Sequence, residues 1–427
     1  MSIATPLLLL LAIIRTPLFA IIAATAMLGF YTEEIDLSVI AIEIYRLAEM
    51  PVLLAIPLFT FAGYLLGESK ASTRLVNLTN SLLGWMPGGL AIVAIIACAL
   101  FTAFTGASGV TIVALGALLY PALKKAGYRE NFSLGLITSS GSLGLLFAPS
   151  LPLILYAVVA QQSSLDQPVG IDQLFLAGIF PGLLMLIMLS IWSMAQPRNI
   201  QERSKFNFPD AWQAIKDAAW EIPLPIFVLG GIYGGFFAVS EAAAVTALYV
   251  LIVEVFVLRE IPIKKLPEII RESMILVGGI MIILGVSLAS TNYLIDTEVP
   301  TRLFEFIQQH IDDKLTFLIL LNIFLLILGM MLDIFSALVI IVPIILPVAV
   351  GYGIHPVHLG IIFLANMQLG YFTPPVGMNL FIASYRFKKP VMTLYKATIP
   401  FFLILLVAVL IITYWPALSL YLIKYVG

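Results

Sequence analysis

Charge is scarce in this chain. Only 11% of its 427 residues are Asp, Glu, Lys or Arg, 61% are hydrophobic, and mean hydropathy is +1.07. A soluble domain carries about a quarter of its residues as charges, so a water-facing fold of this size is excluded. Cysteine is nearly absent too: Cys98 stands alone, which excludes an intrachain disulfide. Three histidines leave little for a transition-metal site, and the closely spaced pair His355 and His358 reads as loop residues. No glycine-rich phosphate loop ending in Lys and Ser or Thr occurs, which removes ATP hydrolysis by this chain. No nucleophile has a plausible base, so the chain does not read as an enzyme. A net charge of −2 gives no reason to expect nucleic acid as a partner. The apolar start, MSIATPLLLLLAIIRTPLFAIIAATAMLGFY, has no basic segment before it and reads as an uncleaved first membrane segment.

What the sequence does have is long apolar runs. A bilayer core about 30 Å thick needs roughly 20 apolar residues per crossing helix. Such segments fall near 3–30, 48–67, 132–160, 174–195, 222–237, 239–258, 273–290, 358–385 and 398–423. The expected fold class is therefore an all-α polytopic membrane protein, with the lipid bilayer as its solvent. Two more runs, 89–120 and 315–350, are too long for one helix. Each is broken in its middle, by TGAS at 105–108 and by GMMLD at 329–333.

The charges decide how those two runs lie. If each is a helical hairpin that returns to its starting side, the loops on one side hold Lys70, Arg74, Lys124, Lys125, Arg129, Arg198, Arg203, Lys205 and Lys216. The same side holds Arg259, Lys264, Lys265, Arg271, Arg386, Lys388, Lys389 and Lys396, which makes 17 of the 22 basic residues. Loops 161–173 and 351–358 on the other side have none. Basic loops are held cytoplasmic, so the pattern argues for two re-entrant hairpins opening to opposite sides. Opposed hairpins are what an inverted repeat predicts. A weak trace of one exists: Pro121 and Gly127 match Pro347 and Gly353 at a shift of 226, and Gly135, Phe147 and Pro149 match Gly360, Phe372 and Pro374 at a shift of 225.

Two crossings carry breaks, SSGSLGLLFAPSLP at 139–152 and ANMQLGYFTPPVG at 365–377. Proline removes a backbone donor and glycine relaxes the chain, so both segments should free carbonyls at membrane depth. Such backbone persists only inside protein or beside a bound ion or water. Carbonyls of this kind coordinate cations in secondary transporters, and the exposed helix N-termini face anionic groups; a proline kink without any ligand is the plainer alternative. Around the first hairpin tip stand Thr102, Thr105, Gly106, Ser108 and Thr111, small hydroxyls suited to a hard cation or simply to close packing. Asp333 lies inside the apolar run of the second hairpin, where an ionisable group marks a pathway or caps a helix. Glu254 and Arg15 sit near loop-bound ends of apolar segments, within reach of water by snorkelling, and carry no assignment. Segments 67–89, with Trp85 as anchor, and 297–314 read as surface helices that could brace a scaffold.

These residues together resemble the large membrane subunit of a tripartite ATP-independent periplasmic (TRAP) transporter. The resemblance runs along essentially the whole chain. It is carried by FTAFTGASGVTIVALG at 101–116, the stretch 119–157, GMMLDIFSALVIIVPIILP at 329–347, and most specifically HPVHLGIIFLANMQLGYFTPPVGMNLFIAS at 355–384. It implies a bacterial or archaeal inner-membrane, sodium-coupled symporter of an organic acid such as a C4-dicarboxylate or sialic acid. The implied partners are a small four-helix membrane subunit and a periplasmic substrate-binding protein, with sodium as the coupling ion and no cofactor. It also implies an elevator mechanism, dividing the chain into scaffold and first surface arm (1–88), transport-domain repeat one (89–160), scaffold and second arm (161–314), repeat two (315–385) and a C-terminal helix (386–427). On the same resemblance sodium is held at Thr105, Ala107, Gly144, Phe147 and Pro149, and again at Gly370, Thr373 and Met378 near the Asp333 tip. Substrate falls between them, at Ser108, Ser150 and Asp333. Relatives often carry a serine-glycine-serine tip where this chain has Thr105, Gly106 and Ala107. A stand-alone sodium-coupled carboxylate carrier is the competing reading, and a channel or a non-transporting scaffold the more distant one.

Overall fold

The computed structural model describes residues 16–162, 169–196, 207–311 and 313–425. They form a bundle of helices joined by short turns. Among them, seven helices are long and apolar enough to cross a membrane, or eight if the pair bent by 44° around residues 147–150 counts as one span. Large apolar side chains also face outward, Ile226, Ile275, Ile323 and Leu403 each being half exposed or more, as a lipid-facing surface requires.

The first part of the chain gives α1 (Leu18–Thr32), α2 (Ser38–Ala48), α3 (Ala55–Glu68) and α4 (Ala71–Leu83). The first 15 residues of the apolar start, Arg15 included, lie outside the described residues. Helix α4 covers most of the segment expected as the first surface arm, with Trp85 half exposed just beyond its end. Hairpin one follows as α5 (Gly89–Thr105) and α6 (Ser108–Lys125), turning at Gly106 with φ +64°, a backbone only glycine adopts without strain. The first broken crossing is α7 (Glu130–Ser140), a 3-10 turn Leu143–Leu146, and α8 (Leu151–Gln161). Then come α9 (Ile171–Ala177), α10 (Ile179–Met194), α11 (Phe208–Asp217), α12 (Pro223–Tyr233) and α13 (Val239–Leu251), which continues as a π-helix over Ile252–Val257. The long α14 (Leu266–Asp296) packs on α1, α2 and α3, and α15 (Val299–Gln308) lies in the segment expected as the second surface arm.

Hairpin two is α16 (Lys314–Met331) and α17 (Ile334–Gly351); Asp313 caps the first through Thr316 N at 2.8 Å and Asp333 caps the second. The second broken crossing is α18 (Pro356–Gly370) and α19 (Met378–Phe387), and α20 (Val391–Tyr414) ends the bundle. Helices α10 and α20 pack beside α5 and α7, so segments assigned outside the two repeats touch the hairpin and the broken helix directly.

Several expectations change. Residues 222–237 reduce to the 11-residue α12, about 16 Å long at 1.5 Å per residue and too short to cross alone. The last crossing begins at Val391 rather than 398, because Pro390 serves as its N-cap. The two-part shift in the repeat also gives way. Hairpin ends Lys125 and Gly351, left-handed Gly127 and Gly353, helix starts Glu130 and Pro356, and the pair Ser142 and Gln368 all keep one spacing of 226. Gly135 and Gly360 were therefore a coincidental match. Each hairpin arm has 17 or 18 residues, about 27 Å of helix, enough to reach most of the way across the hydrocarbon. The charge pattern requires only that each pair of arms returns to the side it left.

Distant basic loops do meet. Lys389 Nζ lies 2.5 Å from Glu130 Oε1, which Lys124 approaches to 4.0 Å, and Lys265 pairs with Glu68. Arg74 joins Glu221, Glu254 and Glu260. Glu254 is thus no snorkelling side chain: it is 1% exposed, because the π-helical turn holds it toward Arg74 on α4. His358 is likewise not a loop residue. Pro356 starts α18 and His355 caps it, accepting from Val357 N at 3.2 Å, so His358 falls within the helix. There it is buried between Ser419 Oγ at 3.1 Å and the Thr413 carbonyl at 3.2 Å.

Candidate functional site

Both breaks face a hairpin tip, and small residues set how closely. In the first break Gly144 lies on the 3-10 turn, where a Cβ would come within 2.2 Å of Ala99 O and 2.5 Å of Ala103 N on α5. At the tip a Cβ on Gly106 would meet the Leu151 side chain at 2.7 Å, which puts Thr105–Gly106 against the start of α8. Thr102 donates to Gly141 O at 2.8 Å and shares a 2.6 Å hydrogen bond with Thr111, tying both hairpin arms to the break. Phe147 and Ala148 are half-buried, Pro149 is buried, and the Ala148–Pro149 bond is cis.

Two hydroxyls at this contact lack any partner. Thr105 Oγ1 and Ser150 Oγ are fully buried without a hydrogen bond. A buried hydroxyl left unpaired costs about 1–3 kcal/mol, and two such groups on adjoining segments form an oxygen-only donor set of the kind a hard cation takes.

The second break repeats the plan with a different exposure. Gly370 abuts Gly329 on α16, a Cβ there falling 2.5 Å from its Cα. Tyr371 Oη accepts from Ile334 N at 2.7 Å, locking the break to the first residue of α17. Thr373 donates its hydroxyl to Leu369 O at 2.7 Å. Asp333, Val376 and Met378 are exposed, so this break opens to the surface where the first is enclosed. Asp333 Oδ1 accepts from Phe335 N and Ser336 N, both at 3.0 Å, and Oδ2 accepts from Ser336 Oγ. The carboxylate expected at apolar depth is therefore an N-cap at a hairpin tip, a role for which aspartate is among the best residues.

The two repeats touch through side chains that the glycine and proline signals did not reveal. Ser108 Oγ donates to Asn379 Oδ1 at 2.8 Å, Asn379 Nδ2 donates to Thr138 O at 3.2 Å, and Asn379 N donates to Tyr371 O at 2.8 Å. Ser142 Oγ reaches Gln368 O at 3.2 Å. Asn379 follows the second break directly as a polar residue in an apolar run, and that was the signal available for it. Ser108 opens α6 and Asn379 lies in the first turn of α19, so two helix N-termini adjoin here, and the N-terminus of α8 meets the same hairpin tip. Helix N-termini carry partial positive charge and free N–H groups, which makes such a cluster receptive to an anion without any arginine. Thr105, Ala107, Ser108, Gly144, Phe147, Pro149 and Ser150 thus gather around one tip. Gly370 adjoins the other tip, whose Asp333 keeps its hydrogen bonds within its own helix; Thr373 bonds within the break to Leu369 O, and Met378 opens α19, whose next residue, Asn379, bonds to Ser108 of hairpin one.

Known proteins resemble the chain along most of its length. The model of the DctM component of tripartite ATP-independent periplasmic transporters matches residues 5–418. A C4-dicarboxylate TRAP transporter large permease protein DctM from Pseudomonas aeruginosa is 34% identical over 390 residues, 91% of this chain and 90% of that protein. An isethionate TRAP transporter permease protein DctMQ from Oleidesulfovibrio alaskensis is 35% identical over 86% of this chain and 58% of its own length. Among solved structures, the YdaH transporter of Alcanivorax borkumensis shares the fold, with a TM-score of 0.61 at 14% identity over 87% of this chain and 89% of that one. The paired hairpins and broken helices, and a match to the DctM model across nearly the full sequence, place this chain in the family of TRAP transporter large permeases, a family of transporters rather than enzymes.

Proposed function

We propose that this chain forms the translocation pathway of a sodium-driven symporter that imports a small organic acid, in the inner membrane of a bacterium or archaeon. The observation that carries the proposal is the first tip-to-break contact. It combines two buried, unpartnered hydroxyls, Thr105 and Ser150, with helix N-termini. Sodium would be held there by Thr105 Oγ1 and Ser150 Oγ with backbone of Ala107, Gly144, Phe147 and Pro149. A second ion would sit at Gly370, Thr373 and Met378. The substrate carboxylate would then meet N–H groups at Ser108 and in the first turn of α8 beside Ser150, its charge balanced by sodium rather than by arginine. Hairpins and broken helices would move together as an elevator past the helices around α14.

The named relatives are permeases for C4-dicarboxylates and for isethionate, which are both small anions. We take an organic acid as the substrate class and leave its identity to a separate binding protein. The longer DctMQ relative supports a small membrane subunit as the second partner. Radiolabelled organic-acid uptake into proteoliposomes tests the whole reading. Uptake should require this chain, the small subunit, the binding protein and an inward sodium gradient, and should stop when choline replaces sodium. Uptake by this chain alone would establish the stand-alone carrier instead.

Asp333 has its own test. Asparagine keeps an N-cap oxygen but loses the charge, whereas alanine loses both. Asp333→Asn should lower uptake about tenfold with unchanged thermal stability, the worth of one charged hydrogen bond. Asp333→Ala should also lose about 1 kcal/mol of stability. Near-normal uptake by the asparagine variant would leave Asp333 as a cap alone.

A further inference from the structure

Outside the helices that form the breaks lies a buried group of charges that does not balance. Arg74, on α4, meets three carboxylates from separate segments. Glu221 Oε1 lies 2.5 Å from Nη2 and 2.7 Å from Nε, Glu254 Oε1 lies 3.2 Å from Nη2, and Glu260 Oε1 lies 2.5 Å from Nη1. The remaining oxygen of Glu260 accepts from Lys70 N at 2.7 Å, and that side chain is 14% exposed. Glu221 and Glu254 are 3% and 1% exposed, and Oε2 of each has no hydrogen-bond partner.

Among the described residues, Arg74 is the one cation in ion-pair contact with Glu221 and Glu254. Lys265 pairs with Glu68. Ser69 donates its hydroxyl to Leu66 O at 3.1 Å and also lies within hydrogen-bonding reach of Glu254, whose Oε2 has no partner of its own. Tyr249, facing both glutamates, donates to Trp220 O at 2.9 Å. One guanidinium thus stands against three carboxylates, two of them sealed from water with an oxygen unused. Buried carboxylates left unpaired are strongly disfavoured in the charged form. Because Glu221 and Glu254 share Nη2, their oxygens cannot be further apart than those two contact distances combined. A single proton on the pair removes one charge and leaves the residual one on the partly exposed Glu260.

We propose that Glu254 is a proton-binding site, which together with Arg74 and Glu221 fastens the foot of α4 to the α11–α12 junction and the end of α13. The proton is held by helices other than the broken ones, so it conditions the scaffold and is not a transported ion. The folded protein then keeps a proton that the unfolded chain releases at neutral pH, and stability falls as pH rises.

Infrared difference spectroscopy on the full-length purified protein reads the proton directly. At neutral pH the wild type should show a carboxylic-acid C=O band that shifts in D2O and fades as pH is raised. Glu254→Gln should lose it. Glutamine mimics the protonated acid, so Glu254→Gln should melt at the wild-type temperature or above at neutral pH and lose the pH dependence. Absence of the band in wild type, or its survival in Glu254→Gln, overturns the proposal. So does a Glu254→Gln protein that fails to fold, since an isostere of the protonated group must be tolerated. A wild type without the band but with a sodium- or potassium-dependent rise in melting temperature that Glu254→Gln alone removes would assign the site to a metal cation, and the proton assignment would fall.

Discussion

Alanine at Gly144 or Gly370 is expected to abolish uptake and lower thermal stability. At both positions the atoms facing the missing Cβ belong to backbone: Ala99 O at 2.2 Å for Gly144 and Gly329 Cα at 2.5 Å for Gly370. No side chain can rotate away, so the hairpin arm must retreat from the break. Overpacking in a close-packed interior costs about 1–3 kcal/mol, and here the displaced element is the tip that faces the break. Gly278 and Gly279 of α14 supply the control, because nothing lies within 4 Å of a Cβ on either. Alanine there should be neutral or stabilising by about 0.5–1 kcal/mol, as for a helix-interior glycine relieved of its backbone freedom. Melting curves and sodium-driven uptake on the four single variants check this. Wild-type uptake by Gly144→Ala would mean that tip and break need not touch.

The glycine result also marks where sequence reasoning reaches and where it stops. Hairpin arms and breaks were legible because apolar length, Gly and Pro, and the placement of Lys and Arg are one-dimensional signals. Even the repeat was visible, although matching Gly135 to Gly360 hid its constant spacing of 226; the helix starts Glu130 and Pro356 correct it. Gly144 and Gly370 were read for the carbonyls they free, whereas what the fold uses first is their lack of a side chain against α5 and α16. Asn379 escaped notice because its partners, Ser108 and Thr138, are remote in sequence. The same holds for Glu254, whose environment is set by Arg74, 180 residues away. A charge near the end of an apolar run looks alike in sequence whether it reaches water or folds back onto a partner. Asp333 shows the converse, since its capping partners Phe335 and Ser336 are local and a capping role was readable from the start.

Removing the unpartnered hydroxyls should separate a sodium site from mere packing by the sign of two effects. Thr105→Val and Ser150→Ala delete buried groups that have no hydrogen bond in this structure. Without sodium, each variant should be as stable as wild type or more so, because an unsatisfied polar group costs about 1–3 kcal/mol and is now gone. With sodium the order should reverse. A ligand that binds only the folded state stabilises it by about 2.7 kcal/mol at a hundredfold excess over its dissociation constant, and a tenfold weaker site loses about 1.4 kcal/mol of that. Melting temperature against sodium concentration should therefore shift at least tenfold to higher concentration in each variant, and the half-saturating sodium for uptake should move with it. Potassium should leave both curves flat. An unchanged sodium response in both variants, with stability raised at every concentration, would make Thr105 and Ser150 packing residues and would move the ion elsewhere.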